Sequence, residues 1–379
     1  MNAMFARAMR TLPVLVLAAC AAAPVGRTDV PAPPTGPVAA SDAPPRDPRL
    51  ESLVAAGRDA CLAKEWAAAL PLLDQAVAMA ADDVEARRWR GHAYTGAERP
   101  AEAFADLEHA LRCGADDAWT HYARAMALHN LGRFEEAVRG YSDALAIDPA
   151  FYKACEWRGF TLARLGRPVA ALPDLDLALS LDRGNPRLSA IRGKVRASLL
   201  DFAGAEEDLW RAVDADGADA DAVAQLGYLL ATGANSDRGI ALLERAVRLA
   251  PAKQAEARAW LVQLLRQHGR DDEASAHVAA LRADGSLWLR ALAGGLDGSL
   301  DGEALLAAAA SPEPGAALDE RPARRVAAWT HRALLAERAG DVATAVDAHA
   351  RAVAAVRTEQ WEWVWSLRRL GALTGEGVR

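Results

Sequence analysis

A small residue, glycine or alanine, returns every 34 residues as Gly57, Gly91, Ala125, Gly159, Gly193 and Gly227. No other feature restricts the fold as much, because a period of this length marks a stack of supersecondary units. Two further columns keep the beat: Ala69, Ala103, Ala137, Ala171, Ala205 and Gly239, then Ala76, Ala110, Ala144, Ala178, Ala212 and Ala246. Bulky residues form a fourth, Leu73, Leu107, Tyr141, Leu175, Leu209 and Leu243, each three residues before an alanine of the last set. Small and large residues alternating on one helical face are what antiparallel helices need to pack closely, the gap on one helix taking the bulk of its neighbour. Each unit therefore reads as two helices. Gly132 and Gly166 end the first helix of their units. Asp148-Pro149, with Asp182 and Asp216 at the same step, ends the second.

The small residue at place 8 of each unit, alanine at 20, a large apolar residue at 24 and alanine at 27 resemble the tetratricopeptide repeat (TPR). Six units start at Leu50, Val84, Ala118, Tyr152, Pro186 and Ala220, with looser ones near Ala255 and from Val326. The resemblance implies an all-α fold, a right-handed TPR superhelix. About seven repeats would fill 50–288, and a further repeat with a Trp-rich capping helix would fill 326–372, where Trp361, Trp363 and Trp365 would close the open end. Residues 289–325 lose the beat. Gly294-Gly295, Gly298, Gly302 and Ser311-Pro312-Glu313-Pro314-Gly315 surround one apolar run there, and the segment is expected to be an irregular linker.

The start of the chain reads differently. Arg7 and Arg10 precede a short apolar run, Leu12 to Ala19, and Leu17-Ala18-Ala19-Cys20 resembles a bacterial lipobox. The resemblance implies that residues 1–19 are a lipoprotein signal peptide and that Cys20 carries lipid; Ala21 in place of aspartate favours the periplasmic face of the outer membrane. An ordinary cleaved secretory signal is the alternative, and an uncleaved one would leave a cytosolic TPR co-chaperone. Residues 20–49 hold eight prolines between Ala21 and Arg49 with few large apolar side chains, the composition of a flexible tether. Fully extended it would reach roughly 90 Å. The net charge of −7 argues against general nucleic-acid binding.

Sites of chemistry are sparse. The eight histidines form no His-Glu-X-X-His pair, and neither a Gly-X-Ser-X-Gly elbow nor a phosphate-binding glycine loop occurs. Asp297-Gly298-Ser299-Leu300-Asp301-Gly302 starts like a calcium loop but reaches Ala308 where the closing carboxylate belongs, so it reads as a polar turn. Cys61, Cys113 and Cys155 lack metal or disulfide spacing and read as small buried hydrophobes, with Cys61 the one expected to be partly exposed. No catalytic residue, cofactor, metal or nucleic-acid partner is expected. An enzyme or enzyme subunit with its site near 285–325 is the competing reading.

What remains is the concave groove, which the resemblance lines with first helices. Places 2, 5, 9, 12 and 13 share a face at helical spacing. Arg88 and His92 in the second unit, Trp119, Tyr122, Met126, His129 and Asn130 in the third, and Glu156 and Phe160 in the fourth are the candidate partner-binding residues. Trp89 and Trp157 sit at the edge of that face, where packing between first helices is the competing role. Aromatic and adaptable polar groups supply contact area for a peptide or protein. The expected function is a lipid-anchored scaffold, an adaptor or assembly factor of the bacterial envelope.

Overall fold

A computed structural model describes residues 31–33, 47–231, 235–251, 254–283, 286–311, 321–354, 366, 369 and 372–374. The chain is all-α: among the described residues there are eighteen helices and no strand. Within the first 162 residues these are α1 (Pro48–Leu62), α2 (Trp66–Met79), α3 (Val84–Gly96), α4 (Pro100–Arg112), α5 (Ala118–Asn130), α6 (Phe134–Ile147) and the bulk of α7 (Tyr152–Arg164). Beyond them come α8 (Pro168–Leu181), α9 (Pro186–Ser198), α10 (Phe202–Ala215), α11 (Ala220–Ala231), α12 (Ser236–Leu249), α13 (Ala255–Gln267) and α14 (Asp271–Ala283). The remainder are α15 (Leu287–Asp297), α16 (Gly302–Ala310), α17 (Arg321–Arg338) and α18 (Val342–Ala354). None of the described helices is long and apolar enough to cross a membrane. Contacts divide the described residues into two compact units, one up to Leu162 and the other from Ala163 onward.

The columns seen in the sequence are the packing contacts inside each unit. A Cβ placed on Gly57 would lie 2.6 Å from Leu73 Cγ, and one on Gly91 2.8 Å from Leu107 Cγ. In the second unit Gly193 and Gly227 stand in the same relation to Leu209 and Leu243, each at 2.9 Å. The missing side chain is thus a condition of helix approach. In the third repeat Ala125 takes the small place and Gly140 on α6 makes the room instead, since a Cβ on it would lie 2.9 Å from the Ala125 methyl. The alanines at places 20 and 27 and the leucines at place 24 are wholly buried, each leucine contributing about 1.5–3 kcal/mol on leaving water.

Two polar columns hold the hairpins in register. Asp83, Asp117 and Asn185 each precede a first helix and accept the N–H three residues on, Ala86 at 2.8 Å, Thr120 at 3.1 Å and Leu188 at 3.3 Å, satisfying a donor that has no partner within the helix. Arginine at place 7 reaches the second helix. Arg90 donates to Asp106 at 2.6 and 2.8 Å and to Asp74 at 2.9 Å; in the other unit Arg192 donates to Asp208 at 2.8 and 2.6 Å and to Asp176 at 2.7 Å. Asp208, the last residue of the acidic run Glu206-Glu207-Asp208, is wholly buried and also held by Arg196 and Arg211.

The turn between the helices of a repeat requires a left-handed residue at place 15. Glycine supplies it at Gly132 and Gly166, φ 76° and 68°, but Lys64, Glu98 and Leu200 adopt φ of 59°, 58° and 65° there.

Three expectations change. Residues 289–325 are not an irregular linker throughout, since α15 and α16 form a short helical hairpin in it. Its glycines belong to packing: a Cβ on Gly295 would meet Leu305 at 2.7 Å, the small-against-large contact of the main beat at a different spacing. Cys61 is buried, with its thiol 3.8 Å from the Trp89 carbonyl and burial pushing its pKa up to about 12, while Cys113 is the exposed cysteine. The signal peptide with Cys20, most of the tether and most of the capping helix lie outside the described residues.

Candidate peptide-binding site

In the first unit, α3 and α5 bring four of the predicted residues together. Arg88, Trp89 and His92 come from α3, and Trp119 lies in the first turn of α5, two residues after its cap Asp117. The His92 ring is ringed by three indoles in edge-on contact, Trp66 at 5.4 Å, Trp89 at 5.9 Å and Trp119 at 6.0 Å between centroids. The Arg88 guanidinium lies 5.3 Å from the Trp119 ring centroid and 3.2 Å from Asp117. Trp66, on α2, is the member that sequence reasoning missed; it belongs to a second helix, whereas only first-helix places were searched.

This cluster is enclosed yet not fully bonded. Arg88 is 2 % exposed and His92 5 %, and among the described residues Arg88 Nε and His92 Nδ1 have no hydrogen-bond partner. Buried polar atoms without partners are uncommon and costly. Burial lowers the His92 pKa to about 4, so the ring is neutral near pH 7 and offers one donor and one acceptor. Burial also pulls Arg88 below its ordinary value, opposed by Asp117 and Glu85.

A piece of the tether lies on the same cluster. The Trp119 indole N–H donates to the Pro31 carbonyl at 2.6 Å, Ala32 packs against the hydrophobic cluster containing Leu50, Val54 and Trp89, and Pro33 is buried. Residues 31–33 are neither helix nor strand.

The other predicted residues are placed elsewhere. Tyr122 and Met126 are wholly buried, Tyr122 against Tyr141 and Phe151, Met126 accepting the Tyr141 hydroxyl at 3.0 Å. His129, Trp157 and Phe160 form a second ring cluster with Phe134, and His129 Nδ1 lies 2.9 Å from the Thr161 hydroxyl. Trp89 and Trp157, for which packing competed with binding, are both 1 % exposed and sit in the core. Glu156 is buried and paired with Lys153 at 3.1 Å, whereas Asn130 is exposed at the end of α5.

Two further constellations bear on chemistry. Asp82, His109 and Cys113 converge so that one ligand atom from each lies within 4.8 Å of the others, a donor set of metal-binding type; the 2.7 Å hydrogen bond between His109 and Asp82 by itself accounts for their approach. In the second unit His349 bridges Ser366, 3.0 Å from Nδ1, and Glu337, 2.7 Å from Nε2. That order of groups suits a nucleophile and its base. Ser366 is wholly buried with Thr330 at 2.9 Å from its hydroxyl, so the network ties helices together. The calcium-like loop is a turn in which Asp297 accepts the Ser299 N–H at 3.0 Å and pairs with Arg282.

The stretch 118–151, which carries Trp119, matches the family model described as the tetratricopeptide repeat. A TPR is therefore present in this chain. The fold is an all-α TPR solenoid, and α5 and α6 are the helices of the matched repeat. A curated relative, the DnaJ homolog subfamily C member 7 homolog of Schizosaccharomyces pombe, is 30% identical over 154 residues, 36% of this chain and 32% of its own length. The chain thus spans about a third of that relative. Similar solved structures include the Pseudomonas aeruginosa pilF product, 16% identical with a TM-score of 0.48, covering 56% of this chain and 97% of its own. PilW, a type IV pilus biogenesis factor, is 20% identical with a TM-score of 0.49, covering 53% and 93% respectively.

Proposed function

We propose that this protein is a scaffold that holds a protein or peptide partner on the first-helix face of α3 and α5. The carrying observation is the pair of buried, unpartnered atoms, Arg88 Nε and His92 Nδ1, beside Trp119. A ligand that brings a backbone carbonyl to one and a backbone N–H or hydroxyl to the other offsets a desolvation already incurred by the free protein. The leader ending in Cys20 supports an envelope setting, in which lipid on that cysteine holds the scaffold on the periplasmic face of the outer membrane. No residue is assigned a catalytic role.

The test is crosslinking capture from bacterial envelopes with the full chain, wild type against Arg88→Ala/His92→Ala, melting measured in parallel. The scaffold loses its partner in the double variant while remaining folded; undiminished capture overturns the site. Cys20→Ser moves the protein from the membrane to the soluble fraction if lipid anchors it. The similarity to a DnaJ homolog favours a second reading, a cytosolic co-chaperone. An unchanged soluble distribution in Cys20→Ser would select that reading over the anchored one.

A further inference from the structure

Resting on the groove reading above, we infer that the α3–α5 face is built for an extended proline-rich strand, and that the chain's own tether segment around Pro31–Pro33 is its resident occupant, which a partner of like chemistry displaces. Four observations converge on one place. The Trp119 indole N–H, the single polar atom of that side chain, donates to the Pro31 carbonyl at 2.6 Å. Ala32 packs against the apolar cluster of the first repeats, and Pro33 is buried although it belongs to a stretch whose composition gives it no core of its own. Arg88 and His92, in ring contact with the same Trp119, keep hydrogen-bonding atoms open.

The chemistry selects for proline. Proline fixes φ and lacks an N–H, so a Pro-X-Pro strand has few states to lose on docking and presents carbonyls that nothing in the strand itself bonds. A surface of indoles with N–H donors recognises such carbonyls and packs on the flat pyrrolidine rings, the way aromatic-lined grooves take polyproline segments. Pro31-Ala32-Pro33 has such a sequence, and its neutral character suits a face where His92 is uncharged. Because the segment is covalently attached, its effective concentration at the groove is of order millimolar. Even a weak intrinsic affinity then keeps the site occupied, and any partner in trans binds against that competition. The tether is on this view a tuner of partner affinity as well as a spacer.

The experiment uses a fluorescent peptide of residues 29–36 and the full chain, as wild type, as Ala32→Asp/Pro33→Asp, and as that double variant with Trp119→Phe added. Fluorescence anisotropy gives the affinities, and thermal melting checks folding. The double variant, whose own segment no longer fits, binds the peptide at least about tenfold more tightly than wild type. Adding Trp119→Phe, which keeps a ring and removes the donor, weakens that binding about fivefold. Equal binding by wild type and double variant overturns resident occupancy, and absence of binding to every form at millimolar peptide overturns the ligand class. Failure here is separable from failure of the scaffold reading. Partner capture that still depends on Arg88 and His92 while the peptide does not bind leaves the scaffold standing and removes only the proline-rich occupant; capture indifferent to Arg88 and His92 removes the scaffold site itself.

Discussion

The first helices of the two units use one packing scheme and finish their leftover places in opposite ways. On α3 and α5 those places hold Arg88, His92 and Trp119, with hydrogen-bonding atoms of the first two left open and Pro31 bonded to the third. On α11 and α13 the same places hold Asp221, Ala224 and Tyr228, then Glu256, Ala259 and Gln263, and Ala224, Tyr228 and Ala259 lie buried in one cluster with Leu226, Leu261 and Trp260. Within that unit Trp288 and Leu292 of α15 and Leu334 of α17 belong to or pack on the same cluster. Polar groups on this face are answered from nearby helices and turns: Gln254 donates to Asp221 at 2.8 Å, and Gln263 lies 3.3 Å from His331. The α11–α13 face is covered by neighbouring helices, whereas the α3–α5 face, with its indoles and open imidazole, has residues of the tether against it. The repeat supplies the scaffold, and the residues outside its packing columns decide what each face takes.

If the scaffold is shared, equivalent changes in its polar column must cost the same in both units. Asp106→Ala and Asp208→Ala each take a buried carboxylate from partly exposed arginines, at about 1.5–3 kcal/mol, read from urea denaturation followed by circular dichroism. A small loss in one and a large loss in the other would break the equivalence.

Acid is the next lever, and it acts on both units. Burial lowers His92 and His331 to about 4 from the ordinary 6.5. The unfolded chain therefore takes up these protons first as pH falls below 6.5, so stability is full above that value and is lost progressively toward pH 4. The loss is up to about 3 kcal/mol for each ring. His92→Gln removes the share belonging to the first unit, and melting temperatures measured between pH 7 and 4 should show a shallower decline; an unchanged slope contradicts the buried neutral ring.

The smallest effect sharpens the account of the turns. Glu98 is exposed at φ 58° where Gly132 and Gly166 serve the next two repeats. Glu98→Gly should raise stability by about 1 kcal/mol, whereas a drop would mean that the glutamate makes up for its backbone strain.

The period and its columns were legible because they encode contacts sixteen residues apart within each hairpin, and a missing Cβ opposite a leucine leaves a mark in the sequence. The arginines at 90, 124, 158 and 192 keep the same beat and are legible with it; the partner Asp208 is less so, because it ends the acidic run Glu206-Glu207-Asp208. Gly294 and Gly295 misled for a physical reason, since glycine reads as a loop signal when it serves as a packing gap inside α15. Of the groove, Trp119, His92 and Arg88 were visible from helical spacing. Tyr122 and Met126 share that spacing yet are spent on the core, because spacing alone does not say how far a neighbouring helix covers a face. The docking of Pro31–Pro33 left no trace in the periodicity, as the segment lies outside every repeat.

On the reading proposed above, recognition of a proline-rich segment belongs to the α3–α5 face and is absent from the α11–α13 face. A peptide of residues 29–36 carrying a photoreactive group, crosslinked to the full Ala32→Asp/Pro33→Asp chain and mapped by mass spectrometry, tests it directly. Crosslinks within residues 84–130 are the predicted result, and crosslinks concentrated within 220–267 would contradict the account.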